Sequence, residues 1–329
     1  MTTPVAIPKP SRPVWRFFQI RELGILIALA VLVLIFTIVT HTFLTGTNLL
    51  NVVRQVSLLG IMAVGMTFVL VTSEVDLSVG SIYGFSGLLT GVLVLKGWSP
   101  VLAVGVGLLA GVLIGAFNGA VSSYARIPSF IVTLGTLNAV RGLALILTNG
   151  FPITLTGAGI VGLDRLLFLS QGQVFGLSMQ TIFLITIGLL GAYLLHRTVL
   201  GFRVFAVGGS ERAAYIAGVN PPAIKTLSFA FLGLLSGLAG ILNLTYLESA
   251  QPTTGSGLEL DVIAAVIIGG TRLGGGEGSI PGTILGVLFI GVLRNGLVLL
   301  GVTPFWQTTA IGLAVILAAL VDRLLDRRR

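Results

Sequence analysis

Apolar stretches follow one another along the chain with little between them: Leu23 to Thr40, then 51–72, 78–95, 100–123, 128–148, 178–196, 226–247, 259–271, 281–300 and 305–321. Most approach the roughly 20 residues that a helix needs to cross a bilayer's hydrocarbon core. The pattern predicts an all-α polytopic membrane protein of about ten transmembrane helices. The eighth stretch, Glu259 to Thr271, has only 13 residues. It is expected to be a broken or half-buried element, which a membrane tolerates only where protein or a cavity covers it. The first stretch exceeds the 7 to 15 apolar residues of a secretory signal and lacks a small-residue cleavage site, so an uncleaved first span is expected.

Polar residues divide the chain into a basic tail over 1–21 with Lys9, Arg12, Arg16 and Arg21, a transmembrane body over 22–322, and a second basic tail over 323–329. Two connections are long: about 149–177, and about 197–225, the latter the densest polar cluster outside the tails. With the N terminus placed inside, fourteen of the 19 Lys and Arg residues fall on the cytoplasmic side, among them Arg126, Arg197, Arg203, Arg212, Lys225, Arg272 and those of both tails. Only Arg54, Lys96 and Arg165 fall outside. This bias predicts both termini in the cytoplasm and therefore an even number of spans.

Composition sharpens the class. The chain is 55% hydrophobic and 9% charged, with a mean hydropathy of +1.06, against about 25% charged residues in a soluble domain. Ten spans consume about 200 of its residues, which leaves no room for a sizeable soluble domain. The net charge of +8 is read as membrane topology, and no nucleic-acid partner is expected. Absence of cysteine excludes disulfides, thiol metal sites and a cysteine nucleophile. His41 and His196 stand alone at span ends, so no metal is expected.

Glycine, 45 residues, falls inside the apolar runs. Gly107, Gly111, Gly115 and Gly119 share one helix face at spacing four and predict close approach of a neighbouring helix; Gly87 with Gly91, Gly233 with Gly237, and Gly282 with Gly286 repeat the spacing. Polar residues at membrane depth are functional candidates. They are Asn118 beside the glycine face, Thr133, Asn138 and Arg141 on the fifth span, and Arg294 with Asn295 on the ninth. Such amides, hydroxyls and guanidinium groups suit a polyhydroxylated neutral substrate, and equally an internal hydrogen-bond network; the two arginines lie close enough to their span ends to snorkel. Asp76 and Asp261 open spans, where a carboxylate can cap a helix or form part of a gate.

Gly274-Gly275-Gly276-Glu277-Gly278 does not make a phosphate loop, since no Lys follows and no G-x-x-x-x-G-K-[ST] occurs. No nucleophile-elbow pattern is present. The chain is therefore expected to be a transport subunit rather than an enzyme, to carry no cofactor, and to rely on another subunit if ATP drives transport. An ion-coupled carrier or channel is the competing reading, and a membrane scaffold a third.

Over about residues 45–325 the chain resembles the permease subunits of bacterial ABC importers for monosaccharides, the group of the ribose, xylose and galactose permeases. The resemblance rests on Gly60-Ile61-Met62-Ala63-Val64-Gly65-Met66-Thr67, Asp76-Leu77-Ser78-Val79-Gly80-Ser81, Ala206-Val207-Gly208-Gly209, Ser249-Ala250-Gln251-Pro252, and the run Glu259 to Thr271. It implies the ABC importer permease fold in the bacterial inner membrane, in contact with lipid. It also implies an ATP-binding subunit, an extracytoplasmic sugar-binding protein, and a second permease copy or homologous permease. Gly208, Gly209, Glu211, Ala213, Ala214 and Gly218 look like the element that couples such permeases to their ATPase, with Arg212 intervening between the acid and the alanine pair. Glu74 departs from the glycine usual in that group.

Overall fold

Helix starts are written locally. Thr45, Ser99, Ser178, Thr198, Ser210, Asn220 and Ser279 each accept a hydrogen bond from the backbone N–H three residues on. This satisfies a donor that the first turn leaves orphaned. Pro100, Pro221 and Pro281 occupy first-turn positions, where their missing N–H costs nothing. The computed structural model describes residues 20–155, 159–303 and 305–313. In order the elements are α1 (Ile20–Val39), α2 (Gly46–Val71), α3 (Val79–Leu95), α4 (Pro100–Tyr124), α5 (Ser129–Thr148), β1 (Ile153–Thr154), α6 (Leu163–Gln171), β2 (Gln173–Val174) and β3 (Leu177–Ser178). There follow α7 (Met179–Arg197), α8 (Val199–Gly209), α9 (Glu211–Ile216), α10 (Pro221–Leu247), β4 (Ser249–Ala250), α11 (Leu258–Ile268) and α12 (Ile280–Leu299).

Six helices, α2, α4, α5, α7, α10 and α12, are long and apolar enough to cross a membrane. Shorter apolar stretches run over Leu23–Val39, Val79–Leu95 and Val199–Gly209. Of the expected tenth span, residues 305–313 are helical; its remainder, the tail over 323–329 and almost all of the tail over 1–21 lie outside the described residues. The expected polar connections hold structure of their own. Residues 149–177 contain α6 and the β2–β3 hairpin, and 197–225 contain α8 and α9, the last two begun by the Thr198 and Ser210 caps.

α2 and α10 form the centre, buried over most of their length, while α4, α5 and α7 turn broad apolar faces outward, including Leu113, Phe117, Ile146 and Leu189. Apolar surface on this scale needs hydrocarbon around it. The glycine face of α4 lies against α10, the most extensive interhelical contact. A Cβ on Gly111 would collide with the carbonyl of Gly233, and one on Gly115 with that of Phe229. Gly87 of α3 meets Gly240 in the same manner, and Gly286 of α12 meets Ala265 of α11.

At one end of the bundle, β1 pairs antiparallel with β4, Ile153 opposite Ala250, and Gln171 of α6 donates to the carbonyl of Thr245 and to Glu248. The chain then turns back inward. Thr254 and Gly255 sit against Gly84 and Gly80 of α3, deeper in the bundle than the contact of Gly87 with Gly240. From there α11 runs for 11 residues, about 16 Å, half the thickness of a bilayer core, to the opposite end. The short eighth stretch is thus a half-length helix preceded by a re-entrant turn, with Val262 and Ala264 to Val266 buried.

Candidate functional site

Three polar clusters are built into this frame. The first is a cavity of about 290 Å³ between α2, α3, α10, α11 and α12. Gln55, Asn243 and Arg294 are its polar walls, Tyr83 lines it, and Leu59, Met62 and Ile290 supply apolar surface. Arg294 donates from Nη2 to Asp261 Oδ2 at 2.7 Å, so the ion pair carries no net charge into the cavity. Asp261 lies in the first turn of α11, whose N-cap is Gly257; its carboxylate is engaged by Arg294.

A second cluster lies at the junction of α3, α4 and α5. Asp76 Oδ1 accepts from the Ser78 N–H at 2.7 Å and from the Ser78 hydroxyl at 2.6 Å. The Asn118 amide donates to Ser78 Oγ at 2.8 Å, and Thr136 donates to Asn118 Oδ1 at 2.6 Å. All four side chains are buried. Ser78, not Asp76, is the N-cap of α3; Asp76 holds that cap in place. The other oxygen of Asp76 has no partner, and burial pushes this carboxyl, in the connection between α2 and α3, above the usual carboxylate range despite the Ser78 bonds.

The third cluster is at the end that carries α9. Lys225 Nζ lies 2.8 Å from Glu74 Oε1 and 2.8 Å from Glu211 Oε2, tying the α2–α3 connection to the first turn of α9 through α10. Nearby, Ser73 Oγ donates to the carbonyls of Gly208 and Gly274, and the Gly276 N–H donates to the Val71 carbonyl. Gly208 is there because a Cβ would strike that same carbonyl. A groove of about 760 Å³ opens here, bordered by Arg126, Arg212 and Tyr215 beside the Lys225 cluster. On α9, Ala214 is buried, whereas Arg212, Ala213, Tyr215 and Ile216 are exposed. Gly218 ends the helix at φ +83°, with the Val219 N–H returning to the Ala214 carbonyl, a left-handed stop that glycine accepts without strain. A Cβ there would meet no atom, so Gly218 serves the turn and not a close packing contact.

The remaining expected path residues are dispersed. Arg141 Nη1 donates to the carbonyls of Pro252 and Thr254, at 2.8 and 2.6 Å, and so pins the re-entrant turn. Asn295 exchanges two hydrogen bonds with Asn48, at 2.9 and 3.0 Å, joining α12 to α2. Thr133 bonds back to the Ser129 carbonyl, and Asn138, exposed, to that of Leu134. None of these lines the cavity. Gln55, Tyr83 and Asn243, which do, were passed over in the sequence. The two amides carry the same signal as Asn118, a polar group inside an apolar span, but Tyr83 reads as one more apolar aromatic. Among the described residues no cluster of three His, Asp or Glu is placed to hold a metal ion.

A family described as the permease component of the branched-chain amino acid transport system matches residues 48–321. The chain belongs to this permease family. It is 41% identical over 303 residues to the ribose import permease protein of Bacillus subtilis, covering 92% of this chain and 93% of that protein. It is 37% identical to the L-arabinose ABC transporter permease protein of Azospirillum brasilense, covering 98% and 93%. To the xylose transport system permease protein of Escherichia coli it is 33% identical, covering 92% and 91%. No solved structure matches the chain. This permease is a multi-pass membrane protein and a transport component.

Proposed function

We propose that this permease forms the translocation path of an ATP-driven bacterial importer for a monosaccharide or a similar small polar solute. A binding protein outside the inner membrane delivers the solute, and a separate ATP-binding subunit, together with a second copy of this permease or a homologous one, completes the machine. The observation that carries the proposal is full-length similarity to relatives named for three pentoses. The bundle supports it: an uncharged, partly polar cavity sits within the membrane body, and α9 presents an exposed edge at the opposite end from α6. On this reading the α9 end is cytoplasmic, and Gly208 to Asn220 receives the motion of the ATPase. Asn118, Thr133, Asn138, Arg141 and Asn295 shape the path by holding its walls, Arg141 through the re-entrant turn and Asn118 through the α3–α5 junction.

Cells deleted for this permease should lose uptake of at least one labelled pentose among D-ribose, L-arabinose and D-xylose, and regain it on complementation. Unchanged uptake of all three, together with unchanged uptake of hexoses and sugar alcohols, contradicts the proposed substrate class.

A further inference from the structure

We propose that the cavity between α2, α3, α10, α11 and α12 is a transient binding station for a neutral, polyhydroxylated solute, recognised by the Tyr83 hydroxyl and by the side-chain amides of Gln55 and Asn243. This inference rests on the importer reading above and names the site at which the solute pauses.

Spare hydrogen-bonding capacity is the first argument. Tyr83 is only 5% exposed, yet among the described residues none offers its hydroxyl a hydrogen-bond partner; the side chains of half-buried Asn243 and of exposed Gln55 are likewise left open to the cavity. Buried polar side chains are ordinarily satisfied within the fold, and Tyr83 is not. Three unspent groups lining one cavity offer donors and acceptors to a ligand that has both, which describes a polyol.

Charge is the second argument. Among the described residues the one cationic group in the lining, Arg294, is neutralised by Asp261 at 2.7 Å, so the cavity offers no reward to a phosphorylated or carboxylated solute over a neutral one. Size agrees with this chemistry, since about 290 Å³ lies at the small end of the roughly 300–1,000 Å³ of small-molecule clefts. Leu59, Met62 and Ile290 give the C–H faces of a sugar ring an apolar wall. A few hydrogen bonds beside such a wall bind weakly, as a site on a path must in order to release its cargo.

Depth is the third. Asn243 lies four residues from the α6 end of α10 and Tyr83 twelve residues from the same end of α3, about 6 and about 18 Å at 1.5 Å per residue. The polar groups therefore form a ladder leading from that end toward the middle of the membrane.

The absence of cysteine makes the test direct. Gln55→Cys and Asn243→Cys, introduced singly into the complete transporter in proteoliposomes, should react with the charged thiol reagent MTSET. D-ribose, L-arabinose or D-xylose at tens of millimolar, whichever the complex transports, should slow that reaction at least threefold, and sodium gluconate should not. Failure to react with MTSET, or labelling unaffected by a transported sugar, overturns the station while leaving the importer reading intact. Transport by the native complex of none of these pentoses and of no hexose or sugar alcohol overturns the proposed importer's solute class, and the class assigned to this cavity with it. Tyr83→Phe removes a hydroxyl that none of the described residues bonds, so thermal stability should hold while turnover falls at least threefold at an unchanged half-saturating sugar concentration. Unchanged turnover in Tyr83→Phe removes the hydroxyl from the site.

Discussion

At the scale of single residues, the membrane body is governed by where each polar group finds its partner. Asp76 is the sharpest case, because it is fully buried with one oxygen bonded twice to Ser78 and the other unpaired. Burial favours its neutral form, so Asp76→Asn, whose Oδ1 can still accept both bonds, should leave the thermal unfolding temperature in detergent close to that of the parent. Asp76→Ala leaves the Ser78 N–H orphaned at the start of α3 and should cost about 1–3 kcal/mol; equal stability of the two variants would show that the α3 cap is held by something else. The type of such residues is legible in a sequence, since an Asn or Arg inside an apolar span announces itself. Its partner is not. Asn295 meets Asn48 across 247 positions of chain, and Arg141 meets the carbonyls of a turn more than a hundred residues away, pairings fixed by helix register and not by any local pattern.

At the scale of elements, hydropathy and caps locate the helices well, and the spacing-four glycines of α4 foretell its contact with α10 because close packing demands the same atoms be absent at every turn. Even the shortness of α11 is visible as a 13-residue stretch. What hydropathy passes over is α9, whose six residues are stabilised by the Ser210 cap and by tertiary contacts rather than by an apolar stripe; α8 is apolar but, at 11 residues, too short for a span. Lys225 supplies the main ionic contact of α9. Replacing it with Met leaves Glu74, largely buried, facing Glu211 without a cation, and removing one member of such a cluster exposes the cost of the others. Lys225→Met should therefore accelerate amide exchange over residues 211–217 by tenfold or more, with exchange in α4 unchanged, whereas Lys225→Arg should stay within a few-fold of the parent. Equal protection of α9 in the Met variant would mean that Ala214 and the Gly208 contact suffice to hold it.

At the scale of the whole molecule, two features lie far apart along the bundle and must act together if the proposed function is right: an uncharged cavity reaching inward from the α6 end, and a capped helix tied to Glu74 and Lys225 at the other. Between them run α2, α3 and α10, joined by glycine contacts that leave little room for independent movement; on the proposed function these carry a displacement of α9 to the elements that line the cavity. No G-x-x-x-x-G-K-[ST] occurs in the chain, and the proposed function takes its energy from a separate ATP-binding subunit. The most direct measurement is sugar accumulation in proteoliposomes that hold the permease with its ATP-binding subunit and are supplied with the loaded binding protein. Accumulation that requires ATP on the α9 side, persists when proton and sodium gradients are collapsed, and rises together with ATP hydrolysis is the predicted result. Accumulation driven by an ion gradient without ATP would contradict the account.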